Sequence, residues 1–279
     1  MFNPTRRNRN IGTAKQGYGQ HNKLVVPYPA IEMKYFYERL GEYNVVERII
    51  NNHKFKFIVE ETRENSFHAC TIDDLEKILT EIPNEDYGDL ELIVLRQPTR
   101  KEENLKPVWG RLIYSYEFEN EHFPAIIIEA TNLERSFKWS KKLNIESQKE
   151  LKRLKEDGHK IVMGKRYFEA EYEIDNIRST QLYRTLPHEF GHFVHYLSEV
   201  ERPEKPNEEY DAWEKRWNKY HSLPSSEKES FAHSYADKFK NKLETQNIIP
   251  FDRILDLEQL TKDGLKISDF KNNWVQQNV

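Results

Sequence analysis

The chain has 279 residues, of which 32% are charged and 37% hydrophobic, and its formal net charge is −4. This balance gives no general attraction to nucleic acid, and no apolar run approaches the roughly 18 residues of a membrane-spanning helix. We therefore expect no membrane partner, and a length that suits one large domain or two small lobes around a shared cleft.

The N-terminal residues have a composition of their own. Asn, Gln, Gly and Arg dominate residues 1–28, which have little to bury, so we predict a flexible basic arm there. Arg6, Arg7 and Arg9 are not followed by an apolar segment, as a secretory signal would require. The single cysteine, Cys70, excludes an intramolecular disulfide. These points predict a cytoplasmic protein, with export without a leader left open.

The next segments alternate between helical and extended patterns. A helix is predicted at Ala30–Leu40. The sequence Thr71-Ile72-Asp73-Asp74 reads as a capping box ahead of a helix at Leu75–Ile82, closed by Pro83. Strands are predicted at residues 55–59, 67–70 (pairing with the first), 90–95, 110–116 and 124–130, and a hairpin at residues 160–162 and 166–173 about Gly164.

One segment further along carries a chemical pattern. His188-Glu189-Phe190-Gly191-His192 reads H-E-x-x-H inside an apolar, helix-compatible stretch. On a helix the two histidines share one face, so both imidazoles can bind one Zn²⁺. Glu189 lies about 100° round the helix from His188 and flanks the metal, where a general base for an activated water belongs. We predict a longer helix from about Asn176 with a kink at Pro187.

A catalytic zinc needs a third protein ligand and one open position. On the same helix, His195 lies about 10.5 Å along the axis from His188, and Glu199 lies about 10.5 Å from His192. Both are too far away to share one metal ion with the two motif histidines. His195 is predicted to pack in the core or to support another side chain. The third ligand is therefore expected on another element.

Glu229 is the favoured third ligand. It begins the pattern E-x-x-A-x-x-x-A, in which Ala232 and Ala236 share its helical face and would let this helix approach the first one closely. Glu227 is the competitor, but its face carries larger side chains. The motif followed by Glu229 resembles the gluzincin branch of the zincin metallopeptidases, which use two His from one helix and a Glu from a second.

The resemblance covers residues 187–237 and implies a site, a fold and an activity. The site would bind Zn²⁺ through His188, His192 and Glu229. The fold would be α+β and zincin-like, with a twisted mixed β-sheet lobe over residues 29–199, ending in the motif helix. A helical C-terminal lobe over residues 200–279 would complete one catalytic unit. In thermolysin-like members the residue four after the ligand Glu is an Asp that orients the first His; here it is His233.

The same resemblance predicts the chemistry. Glu189 would act as general base in hydrolysis of a peptide or protein substrate, and the oxyanion would need a second stabiliser, for which His233 and Tyr235 are the candidates. In such enzymes an extended substrate adds to the free edge of the sheet. Either Gly110–Tyr116 or Pro124–Ala130 could be that edge, and either could instead be an interior strand.

Two other patterns are predicted to be structural. The stripe formed by Trp213, Trp217 and Tyr220 is more typical of core packing than of a substrate-binding wall. Lys149–Lys155 is predicted to be a solvated helix face.

Two further functions stay open beside the zinc peptidase. One is a zincin-shaped binding or regulatory protein without catalysis. The other is a peptidase directed to nucleic-acid-bound proteins by the basic arm, although nucleic acid is not the expected partner. The sequence leaves the oligomeric state open.

Overall fold

A computed structural model describes residues 35–105, 108–205 and 208–271. The predicted arm at residues 1–28 lies outside this part of the chain. Of the helix expected at Ala30–Leu40, residues 35–40 are described, and they contain one 3₁₀ turn, Phe36–Glu38. The elements from Tyr37 onward belong to one compact unit by their contacts.

The first two strands form a hairpin. β1 (Tyr43–Ile50) and β2 (His53–Glu60) are antiparallel, and Asn51 and Asn52 join them with φ of 51° and 64°. Two residues with positive φ make the turn whose twist matches a hairpin, and Asn tolerates that conformation. The strand predicted at residues 55–59 is confirmed within β2, whereas β1 was not predicted.

These strands belong to a mixed sheet of five strands in the described residues. Its order is β1, β2, β4 (Leu92–Arg96), β6 (Glu121–Glu129) and β5 (Gly110–Phe118). β2, β4 and β6 are parallel, and β1 and β5 are antiparallel to their neighbours at the two edges. All of β4 is buried, which explains its unbroken apolar run.

The sheet order decides between the two candidate edges. β5 is the edge strand, as one alternative for Gly110–Tyr116 predicted. β6 lies between β4 and β5, so Pro124–Ala130 as an edge is wrong. A register shift between Ile113 and Tyr116 marks a bulge in β5.

The connection from β2 to β4 contains the predicted capped helix. α1 (Ile72–Leu79) starts three residues earlier than expected, and its capping box is confirmed, because the Asp74 N–H donates to the Thr71 hydroxyl and the Thr71 N–H to the Asp74 carboxylate. The expected pairing of residues 67–70 with β2 is wrong. Instead β3 (Ser66–Phe67) pairs with β7 (Thr131–Asn132).

Two helices and a smaller sheet come next among the described elements. α2 spans Arg100–Leu105, and α3 (Ile145–Glu156) begins at Asn144, whose side chain accepts from the Ser147 N–H. β9 (Ile161–Met163) and β10 (Tyr167–Glu171) form the hairpin predicted about Gly164. β8 (Ser136–Ser140), which was not predicted, pairs with the other side of β10.

A long helical stretch then carries the motif. α4 (Ile174–Thr180) continues through a π-helical segment, Gln181–Thr185, into α5 (Leu186–Tyr196), and a second π-helical segment, Leu197–Glu201, follows. The continuous helix around Pro187 agrees with the prediction. The π-helical segment directly precedes Pro187, which lacks an N–H and whose ring would crowd the carbonyl four residues back in a regular α-helix.

Three helices complete the described fold: α6 (Tyr210–Ser222), α7 (Ser225–Thr245) and α8 (Leu257–Lys262). The main core joins one face of the five-stranded sheet to α1, α5 and α7, with Phe190 and Phe193 fully buried at its centre. The motif helix is therefore held between the sheet and α7.

Candidate metal centre

α5 presents both motif histidines on one side. The Nε2 atoms of His188 and His192 are 3.1 Å apart, and each side chain is 15% exposed. The helix is fixed to the sheet by Gln181, whose side-chain amide donates to the carbonyl of Glu129 at the end of β6 (2.7 Å). Both imidazoles are thus carried by α5, and the segment just before α5 is anchored to the sheet.

α7 approaches α5 unusually closely at Gly191. A Cβ added to Gly191 would stand 2.8 Å from the Ala232 Cα and 2.9 Å from the Ala232 carbonyl oxygen, so only glycine fits there. Ala232 and Ala236 are both buried on the α7 side. The small residues seen in the sequence therefore do bring the two helices together, as predicted.

This approach brings Glu229 to the histidines. Its Oε2 lies 3.3 Å from the His188 Nε2, and its Oε1 lies 3.5 Å from the His192 Nε2. The hydrogen-bonding histidines hold the pKa of Glu229 well below its usual range, although the side chain is 52% exposed. The competitor Glu227 lies exposed on the same helix and does not belong to this cluster.

The three donor atoms fit a single metal ion. In a tetrahedral site with bonds of about 2.0–2.2 Å, neighbouring donors stand about 3.3–3.6 Å apart. The two imidazole nitrogens are 3.1 Å apart, and they lie 3.3 Å and 3.5 Å from the Oε2 and the Oε1 of the same carboxylate, so one donor atom from each side chain could bind the same ion. Two imidazoles and a carboxylate are also a donor set that Zn²⁺ accepts, with the fourth position left open.

The usual support for a metal-binding histidine is lacking on one ring. The buried Nδ1 of His188 has no hydrogen-bond partner among the described residues. Metal-binding histidines commonly donate this second N–H to a carboxylate or a carbonyl. This agrees with the departure noted in the sequence, where His233 replaces an orienting Asp.

Glu189 flanks the cluster from the sheet side. Its Oε2 accepts a 2.7 Å hydrogen bond from the backbone N–H of Leu112 on the edge strand β5. Burial raises the pKa of Glu189, and the neighbouring histidines and the Leu112 N–H act against that rise. A carboxyl with a raised pKa beside the cluster suits a group that takes and returns a proton.

His233 lies beside the cluster, but its contacts differ from those predicted. Its ring centroid is 4.4 Å from that of His188, and its Nε2 lies 3.1 Å from the Nη1 of Arg153 on α3. Because a guanidinium only donates, the His233 Nε2 accepts, so that nitrogen cannot donate to a substrate oxyanion and the donating proton would have to be on Nδ1. Burial, His188 and Arg153 lower the pKa of His233 to about 4, so the ring is neutral.

Tyr235 is not brought to the cluster through its hydroxyl. The hydroxyl donates to Asp86 (2.9 Å), which also pairs with Arg202. Burial and Asp86 raise the pKa of Tyr235. The expected role of Tyr235 as an oxyanion donor therefore conflicts with its contacts. Its position six residues after Glu229, about 120° away round the helix, could have shown this.

The other residues weighed in the sequence have structural contacts. His195 is buried and stacks on Phe231 at 4.3 Å, as a core histidine would. Glu199 pairs with Lys219 (3.5 Å). In the aromatic stripe of α6, Tyr220 is buried, as core packing predicts, whereas Trp217 stays 37% exposed.

Three contacts at the site had no signal in the sequence. One is the hydrogen bond from the Leu112 N–H to Glu189. Another is a chain of two hydrogen bonds, in which the Tyr220 hydroxyl donates to the His192 carbonyl (3.3 Å) and also bonds to the Tyr114 hydroxyl (2.8 Å). The third is Arg153, in a segment predicted to be a solvated helix face. Each depends on long-range packing, which periodicity along one helix does not report.

Comparison with protein-family models, with curated proteins and with solved structures found no match to this chain. None of the described helices combines the length and the apolar character that crossing a membrane requires. Any functional conclusion therefore depends on the site itself.

Proposed function

We propose that this protein is a zinc-dependent peptidase of the zincin type, acting in the cytoplasm, with His188, His192 and Glu229 as metal ligands. The main support is the Glu229 carboxylate, whose two oxygens lie 3.3 Å and 3.5 Å from a pair of imidazole nitrogens that are 3.1 Å apart, with Glu189 beside them. Two histidines one turn apart are common on helices. A carboxylate brought to both rings from a second helix, through a contact that only glycine permits, is far more specific.

When bound, zinc would polarise a peptide carbonyl and lower the pKa of a water molecule. Glu189 would take the proton from that water and pass it to the nitrogen of the leaving amine as the C–N bond breaks. Its raised pKa favours this return of the proton. The oxygen of that water would form the new bond to the carbonyl carbon, and its second proton would also pass to the amine. The products are then a carboxylate and a protonated amine, so atoms and charge balance.

Substrate placement follows from the sheet edge. The backbone N–H of Leu112 faces away from β6 and reaches Glu189, so the exposed side of β5 runs past the proposed general base. An extended peptide could add to this edge through its main chain. The carbonyl to be attacked would then lie between β5 and the histidines.

Two substitutions test the proposal. Glu189→Gln should retain about one zinc per chain by elemental analysis, yet lose peptide cleavage by about 10²–10⁴-fold, because the ligands remain and the base does not. Glu229→Gln should lose zinc, whereas Glu227→Gln on the same helix should retain both zinc and cleavage. A wild-type protein that purifies without zinc and does not take it up would refute the proposal.

The binding or regulatory alternative has one observation in its favour. Glu189 is already engaged by Leu112, and a carboxylate held in this way could be a structural contact instead of a base. A zinc-loaded wild type that cleaves nothing in a diverse peptide library, but captures peptides tightly, would favour this second function.

A further inference from the structure

Arg153 is a half-buried cation beside the metal cluster. It belongs to α3, and its Nη1 contacts the His233 Nε2 at 3.1 Å. No carboxylate in the described part of the chain forms an ion pair with it. By contrast, its neighbour Arg184 pairs with Glu150 (2.8 Å) and Asp157 (2.9 Å). The charge of Arg153 is therefore not neutralised by a direct ion pair within the described residues.

Arg153 lies close to the metal cluster. Only one imidazole separates it from the cluster, because the His233 Nε2 lies 3.9 Å from the Glu229 Oε2. The side chains of His233 and Glu229 are 36% and 52% exposed, so this side of the cluster is open to solvent. Arg153 and His233 line the same shallow depression, together with Arg184, Lys240 and the acidic residues Glu156, Asp157 and Asp237. A substrate bound to the metal would extend toward the guanidinium on this side.

Covalent geometry limits which part of a substrate could reach Arg153. In the residue that follows the scissile bond, three bonds separate the backbone carboxyl carbon from the reacting carbonyl carbon, about 4 Å at most. A carboxylate there would lie within reach of a guanidinium one imidazole away from the metal ligands. Arg binds carboxylates through two parallel hydrogen bonds, which fixes position as well as charge.

We propose that Arg153 binds a carboxylate carried by the first residue on the leaving side of the scissile bond. This inference rests on the proposed peptidase function. The carboxylate has two possible sources, the free C-terminus of a peptide or an acidic side chain. The geometry favours the C-terminus, because its atoms are closest to the reacting bond, and the protein would then remove single C-terminal residues.

Binding to a zinc-loaded Glu189→Gln protein tests this without catalysis. The probes are N-acetyl-alanyl-phenylalanine, its C-terminal amide, and N-acetyl-alanyl-glutamate α-amide, measured by calorimetry. Adding Arg153→Gln should weaken binding of the free acid about 10- to 100-fold, because charged hydrogen bonds are lost, and should leave the phenylalanine amide nearly unchanged. Tight, Arg153-dependent binding of the glutamate amide would assign the carboxylate to a side chain.

Two matched variants keep the result interpretable. Lys155→Gln removes one positive charge from an exposed position on the same helix and should leave binding of all three probes unchanged. Arg153→Lys keeps the charge but not the paired hydrogen bonds, and should lie between the wild type and Arg153→Gln. Equal weakening of acid and amide by Arg153→Gln would mean that Arg153 only holds His233, and would overturn the proposal.

Cleavage by the wild type separates the two proposals. Arg153-dependent capture of the acid by a protein that cleaves no peptide supports the carboxylate site and refutes hydrolysis. Cleavage that shows no preference for the acid over its amide supports hydrolysis and overturns the carboxylate site.

Discussion

Replacing Gly191 by Ala would test the helix contact on which the metal cluster depends. The new Cβ would stand 2.8 Å from the Ala232 Cα and 2.9 Å from its carbonyl oxygen, where ordinary contacts begin near 3.4 Å. α5 and α7 must therefore separate by about half an ångström or more. Glu229 moves with α7 and both histidines move with α5, so the separation directly increases the distances between the carboxylate and the two imidazoles.

The magnitude follows from two opposing effects. Overpacking of a tight core contact costs about 1–3 kcal/mol. The gain in helix propensity from Gly to Ala offsets up to about 1 kcal/mol of this. We expect a net loss of up to about 2 kcal/mol in the free energy of unfolding of the metal-free protein, and zinc binding that is weaker by about tenfold or more.

Urea denaturation of the metal-free protein and zinc competition with a chromogenic chelator measure the two effects. Ala232→Gly in the Gly191→Ala background is the control. This second substitution should restore neither the free energy of unfolding nor the zinc affinity, because the clash is with the backbone of residue 232 and not with its methyl group. Wild-type zinc affinity in Gly191→Ala, or rescue by the second substitution, would refute the reasoning.

Three further predictions concern burial and hydrogen bonding away from the metal. Burial lowers the pKa of His68 from 6.5 to about 4, so the unfolded chain binds a proton that the folded one rejects; stability should fall by up to about 3 kcal/mol as pH drops from about 6.5 to 4. His68→Gln should flatten that dependence in urea titrations at several pH values, and an unchanged profile would exclude His68 as the cause. Asp74→Ala should lower the free energy of unfolding by about 3–5 kcal/mol, because it leaves the buried Arg178 without its 2.8 Å partner; a loss under 1 kcal/mol would contradict this. Tyr235→Phe should cost about 1–2 kcal/mol because the Asp86 Oδ2 loses its donor while Oδ1 keeps Arg202, and it should not change zinc affinity or cleavage. A selective loss of cleavage would restore Tyr235 as a catalytic candidate.

The parts of the fold that local patterns encode were predictable. The capping box at Thr71 gives a helix its start through two hydrogen bonds within four residues, so no distant contact is needed. The motif helix and the face of α7 carrying Glu229 follow from a period of 3.6 residues. β2 follows from the alternation of Phe55, Phe57 and Val59 in its sequence, although the last four residues of the strand are all buried.

Features set by distant packing were not predictable. β1 has only two buried residues, Val46 and Ile50, so its apolar pattern is weak, and it is held mainly by pairing with β2. The order of β6 and β5 depends on which strands pair across the sheet. Arg153 shares a charged segment with solvated lysines, and only the docking of α3 places it beside His233.

The contact at Gly191 also has a consequence for how the chain holds together. Thirty-six residues separate His192 from Glu229, and an ion bound to both would tie the two ends of that loop to each other. Ion uptake and the seating of α7 on α5 would then be one event, since neither helix alone offers the full donor set. A chelator would loosen α7 first, and protease cuts along its exposed face would be an early sign that the ion had left.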